Sequence, residues 1–200
     1  METNAKTNLQ TNLETNTIHF EKATLAHKDC IFQWLEKPHV KEFWDNSQDH
    51  RDDILYFMQN KKRRYFNGIA DYWVGSIGDA KNTEPYCFLL TTEVLATQPD
   101  LKASWREHLS ITGKTFTIDF MIGNEKYLGK GLGAPTLEAF TQFMHDNIDQ
   151  AIDTFMIDPD VNNPRAQHVY EKAGFKTVAE FDMTGGFFKG HKSLLMVKKL

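Results

Sequence analysis

"KTFTIDFMIGNEKYLGKGLGAPTLEAFTQFM", Lys114 to Met144, is the stretch whose reading decides the fold. Its first ten residues largely alternate apolar and polar side chains, the period of a half-buried strand. Its last dozen place apolar residues at helical spacing, so a helix begins near Gly133. Between the two stand Gly129, Gly131 and Gly133, where a helix has to start and where glycine weakens one. The first helical turn offers unpaired N–H groups and the positive end of the helix dipole, which favour an anion. Glycines there permit positive φ and let a phosphate approach the backbone. Pro135 fits the first turn, where its missing N–H is no loss, and Lys130 adds positive charge at the rim. The loop lacks the Ser or Thr after Gly-Lys of a P-loop, and the third glycine spacing of a dinucleotide fold. A turn that merely packs a helix on a sheet is the alternative.

Outward from this unit the chain alternates further elements. "TIHFEKAT" (Thr17–Thr24), "DYWVGSIG" and "EPYCFLLTTEV" read as strands, the last two joined by a turn at "DAKN". "LAHKDCIFQWLEK", ended by Pro38, and "SQDHRDDILYFMQNKK", capped by Ser47, read as helices. After the glycine unit come a strand "DTFMID", a helix within "NNPRAQHVYEKAGF" and strands "KTVAEFDM" and "SLLMVKKL". The order predicts one α/β (α+β) domain over residues 17–200 with a central mixed, mostly antiparallel sheet flanked by helices. Residues 1–16, a polar Thr-Asn repeat, read as a disordered tail without the apolar stretch of a signal peptide, and the reading is cytoplasmic.

With 27 acidic and 23 basic residues the net charge is −4, which argues against a nucleic-acid partner. The one basic cluster, Lys61–Arg64, reads as a solvated helix end, and no apolar run is long enough for a membrane span. Cys30 and Cys87 are far apart and without metal-ligand spacing; both read as small buried hydrophobes, and no metal site is expected.

The glycine loop after a strand, followed about thirty residues later by "N..A...YEKAGF", resembles the GCN5-related N-acetyltransferase (GNAT) family. "TIDFMIGN…YLGKGLG", "IDPDVNNPRAQHVYEKAGF" and "WLEKPHVKEFW" look most like its aminoglycoside 6′-N-acetyltransferase branch. The resemblance implies acetyl-CoA as co-substrate, its diphosphate held by Leu128, Gly129, Lys130, Gly131, Leu132, Gly133 and Ala134. Leu128 departs from the Gln or Arg usual in the family and is familiar in that branch. The implied acceptor is a small cationic amine, an aminoglycoside foremost; a siderophore-type hydroxylamine, a polyamine, a protein amine, or acyl-CoA binding without turnover are the alternatives. A monomer or homodimer is expected.

Direct acetyl transfer needs a base, an oxyanion site and an acid for the thiolate. Asn163 caps a helix and Tyr170 lies two turns on, on the same face, so the amide can bond the pantetheine chain and the phenol can protonate the thiolate. Capping alone, and a core aromatic, are the plain readings. Asp119 interrupts an apolar strand and Asp158 closes the next; if the strands are neighbours the carboxylates meet, attract an amine and raise each other's pKa. An edge charge and an Asx turn are their alternatives. Backbone groups of Met121, Ile122 and Gly123 are candidates for the thioester carbonyl. Trp44, with Asp45, Asp49, Asp52 and Asp53 close in sequence, is the candidate wall for the acceptor, or else part of the core. The segment 96–113 mixes Asp100 and Glu107 with Lys102 and Arg106, which is not an acid-rich cover for a polycation.

Overall fold

The computed structural model describes residues 17–79 and 82–200. The polar tail therefore lies outside the described residues, as do two positions of the Asp79–Asn82 turn. Seven strands form one sheet: β1 (Thr17–Lys22), β2 (Asp71–Gly78), β3 (Thr83–Val94), β4 (Lys114–Ile122), β5 (Ile152–Ile157), β6 (Lys176–Asp182) and β7 (Lys192–Lys199). Their order is β1-β2-β3-β4-β5-β7-β6, antiparallel throughout except for the β4–β5 pair. The helices are α1 (Lys28–Leu35), α2 (Pro38–Lys41), α3 (Gln48–Met58), α4 (Ala103–Arg106), α5 (Gly133–Phe143) and α6 (Pro164–Lys172).

Both sheet faces are covered, which is why β2 and β3 are buried almost end to end. On one face Leu137 and Phe140 of α5 pack with Tyr86, Phe155 and Phe175. On the other, Ile31, Trp34 and Leu35 of α1 and Ile54 of α3 pack on Tyr72 and Phe88. Each such side chain contributes about 1.5–3 kcal/mol by leaving water.

Two local readings change. The helix expected to run to Lys62 ends at Met58, because Asn60 takes a left-handed φ of 53°. Arg63 is not a solvated helix end: its guanidinium bonds Asp53 Oδ2 at 3.0 Å and the carbonyls of Gly68 and Ala70, both at 2.7 Å. Cys87 is fully buried, and burial pushes its thiol up to about 12; Cys30 is half-buried, its Sγ donating to the His27 carbonyl at 3.1 Å.

The feature that creates a site is the way β4 and β5 part. They pair in parallel only as far as Thr117↔Met156. Beyond that point β4 stays with β3 up to Ile122↔Cys87, while the chain after β5 follows β7. Leu194 N–H donates to Pro159 O, Val161 N–H to Lys192 O, each at 2.9 Å, and Asp160 bridges Ser193. Pro159 has no N–H to offer β4. The sheet therefore opens into a cleft between two strand ends.

Candidate functional site

A cavity of about 940 Å³ runs through this cleft. At one mouth lie the glycine loop and α5. Gly129 and Gly131 sit at φ 70° and 75°, which side chains other than glycine adopt at a penalty, and an added Cβ on either would meet nothing within 4 Å. These two glycines therefore serve the turn and leave the space before α5 open. Gly133 has another reason: its Cβ would come within 2.7 Å of Val169 Cγ1, so it sets the approach of α5 to α6. Gly133→Ala is expected to destabilise by about 1–3 kcal/mol through this overlap. Denaturant melts of the single variant and of Gly133→Ala with Val169→Ala check it, the second change restoring most of the loss.

Leu128, Leu132 and Ala134 line the same mouth; Lys130 is exposed and not part of the wall. Positive charge comes instead from Arg165 and Lys172 of α6, which reach the cavity together with His168 between them. Their spacing of three and four residues, one helix face, was the signal that sequence reasoning passed over. Asn163 lines the cavity too, with its Oδ1 accepting from Ala166 N–H at 3.1 Å. The cap thus takes the oxygen, and only the Nδ2 hydrogens remain to be offered to a ligand.

Deeper in, Asp119, Asp158 and Tyr170 line one stretch of wall. Both carboxylates keep some accessible surface because the cavity is that surface; otherwise protein encloses them. Asp119 is pushed up to about 6, first by burial and then by the charge of Asp45. Asp158 is pushed up to about 8, first by burial and then by Asp119, with Lys102 opposing. Burial pushes the phenol of Tyr170 well above its ordinary value, and both aspartates add to the shift, so it stays protonated. The mutual dependence places the three groups within electrostatic reach of one another.

The β4 edge beside them is backbone without a strand partner. Gly123 N–H donates to Tyr86 O at 3.0 Å, on the β3 side. Antiparallel alternation turns Met121 the same way and directs the peptide groups of Phe120 and Ile122 toward the cleft. Of the three expected oxyanion candidates, only Ile122 thus presents its N–H to the cleft. Its carbonyl already pairs with His39 Nε2 at 3.0 Å, a residue the sequence did not single out. Gly123 has a structural role: its Cβ would lie 2.3 Å from the Trp34 ring.

At the far end the wall is Trp44, Asp45, His50, Tyr65 and Phe66. Tyr65 donates to Asp45 Oδ2, and Asp45 Oδ1 accepts from Ser47 N–H at 2.8 Å. Of the four acids expected near Trp44, only Asp45 lines the cavity. Asp53 is buried against Arg63 and Tyr72, Asp52 accepts from Gln48, and Asp49 lies in the first turn of α3. The cavity thus carries polar groups on a largely apolar wall: backbone N–H groups and cations at one mouth, carboxylates in the middle and beyond. Such a channel suits an anionic thioester carrier entering from one side and a cationic nucleophile from the other.

Residues 98–183 match the family model described as the acetyltransferase (GNAT) domain. Aminoglycoside N(6′)-acetyltransferase type 1 of Klebsiella pneumoniae is 24% identical over 151 residues, 73% of this chain and 67% of the relative. Among solved structures, the aminoglycoside N(6′)-acetyltransferase of Legionella pneumophila superposes with a TM-score of 0.67 at 22% identity, covering 90% of each chain. An aminoglycoside 6′-acetyltransferase in complex with coenzyme A and kanamycin gives 0.65 at 20% identity, covering 92% of this chain and 95% of the other. The fold is shared with both.

Proposed function

We propose, from the premise that this chain carries an acetyltransferase (GNAT) domain, that it is an N-acetyltransferase moving the acetyl group of acetyl-CoA to a primary amine of a small cationic acceptor, an aminoglycoside 6′-amine foremost. The observation that carries the reading is the convergence of Asp119, Asp158 and Tyr170 on one cavity that has the α5 N-terminus at its mouth.

The residues divide the work. Backbone N–H groups from Gly129 to Ala134 and the α5 dipole hold the diphosphate, with Arg165 and Lys172 as neighbouring charge and His168 as a further polar neighbour. Asn163 Nδ2 and the cleft-facing groups of Phe120 take the pantetheine amides, and Ile122 N–H polarises the thioester carbonyl. The aspartate pair attracts the ammonium form of the acceptor, and one carboxylate removes its proton before attack. The amine lone pair then adds to the acetyl carbon, the C–S bond breaks as Tyr170 protonates the departing sulfur, and the surplus proton on the new amide nitrogen returns to the Tyr170 phenolate. A cationic acceptor bound beside the pair draws both aspartates back toward ionisation, so its arrival readies the base.

Lys102 favours a second reading of the acceptor. Its ammonium donates to Asp182 O at 2.6 Å, lies 3.9 Å from the Phe181 ring centroid, and opposes the raised pKa of Asp158. A resident cation there disfavours a highly charged polycation and suits an amine of lower charge. Thiol release from acetyl-CoA, measured against aminoglycosides, polyamines, hydroxylamines and peptide amines, separates the two. Turnover with aminoglycosides at least about tenfold above the other classes is expected; turnover confined to singly charged amines favours the second reading, and no turnover with any amine rejects both.

A further inference from the structure

His50 is buried in α3 at 3% exposure, within a stack of rings. Tyr65 lies 5.2 Å away at 19° and Trp44 6.0 Å away at 15°, with Phe66 and Tyr72 also in contact. Its Nδ1 lies 2.9 Å from the backbone carbonyl of Asp45, which can only accept. Nδ1 therefore carries the hydrogen, and in the neutral ring Nε2 is a bare lone pair. Burial pushes the imidazole below its ordinary pKa, Asp45 and Asp53 opposing, which favours that neutral form. Nε2 has no hydrogen-bond partner among the described residues. Nor has the indole Nε1 of Trp44, a side chain 5% exposed whose N–H can only donate. Both residues line the cavity, on the acceptor side of the aspartates.

A buried acceptor and a buried donor left unpaired on neighbouring parallel rings are costly unless a ligand completes them. The ligand group that satisfies both at once must donate to Nε2 and accept from the indole. An ammonium only donates, and an ether only accepts; a hydroxyl does both. We propose that Trp44 and His50 form a hydroxyl-reading subsite that selects polyhydroxylated amines over hydroxyl-free polyamines. The subsite rests on the amine-acetylating reading above and narrows its acceptor class. Both nitrogens are closed off from solvent, so admitting a hydroxyl requires a neighbouring ring to move; Phe66, exposed and edge-on to the imidazole at 5.6 Å, lines the same cavity.

The test uses the full chain, with kanamycin as the hydroxylated amine and spermine as the hydroxyl-free one. His50→Asn keeps an amide donor for the Asp45 carbonyl and removes the Nε2 acceptor; Trp44→Phe removes the indole donor. Each variant is expected to raise the KM for kanamycin about 10- to 100-fold. The loss with spermine, which has no hydroxyl to be read, should be at least about tenfold smaller than the loss with kanamycin. Equal losses on both acceptors would mean a packing role and overturn the subsite. A readout independent of turnover is the Nε2 resonance of His50 in protein labelled with 15N-histidine. Kanamycin should shift it toward the hydrogen-bonded range, even in a protein that transfers no acetyl group. A resonance that kanamycin leaves unmoved overturns the subsite whatever the kinetics; a shifted resonance without transfer to any amine overturns the catalytic reading alone.

Discussion

Asp158→Asn is expected to lower turnover by about 10²- to 10⁴-fold, the range of a lost general base, while the protein becomes more heat-stable at pH 8. The two effects have one origin. A carboxyl whose folded pKa stands at about 8 binds more protons in the native than in the unfolded state across the range above 3.8. Its contribution to stability is full below the unfolded value and is lost as pH rises through the folded one. The native protein thus pays for a poised base above neutrality, and the amide removes that penalty. Melting curves should show a gain of a few degrees at pH 8 and a smaller one at pH 5, because the penalty grows between 3.8 and about 8; no gain at either pH would mean that Asp158 is solvated. Activity follows the opposite sign: the parent rate should rise with pH between about 6 and 8 as the pair loses its protons. Asp119→Asn is expected to lower turnover as well. By removing the negative neighbour that raises Asp158, it should move the remaining limb of the pH–rate profile to lower pH. An unshifted limb would uncouple the two carboxylates.

Tyr170→Phe carries the second large effect, a fall in kcat of about 10²-fold with acetyl-CoA affinity unchanged. The ring is 7% exposed and packs near Phe175, so a phenylalanine keeps the fill and loses only the hydroxyl. The loss should shrink with acetyl thioesters of more acidic thiols, whose departure needs no proton. Equal losses for good and poor leaving groups would remove the acid role and leave Tyr170 as core.

How much of this was legible beforehand differs by element. The strands around the site were plain because their periods were plain: "DYWVGSIG" coincides with β2, and the ends of β4, β5 and β7 differ from the reading by one residue each. Asp119 stood out as a charge within an apolar strand, and the cavity it lines explains its tolerance there. What the sequence did not contain is the parting of β4 from β5. That depends on hydrogen bonds from β7 to residues 159–161, which no local pattern encodes. For the same reason the direction of each peptide group at Met121–Gly123 was open, since one residue of register reverses it. The acidic run Asp45–Asp53 misled for a physical cause. Asp49, Asp52 and Asp53 lie on α3 and point around its axis, Asp53 toward Arg63, while Asp45 precedes the helix and is the one of the four that lines the cavity. Gly129, Gly131 and Gly133 looked alike in sequence; φ separates the first two, and Val169 accounts for the third.

In this reading one cavity brings a thioester to Asp119, Asp158 and Tyr170 from the α5 side. A crystal structure of the chain soaked with coenzyme A and kanamycin tests it most directly. The diphosphate is expected on the amides between Gly129 and Ala134, the sulfur within reach of the Tyr170 hydroxyl, and an amine of kanamycin between the two carboxylates. A diphosphate bound elsewhere, or a sulfur directed away from Tyr170, would contradict it.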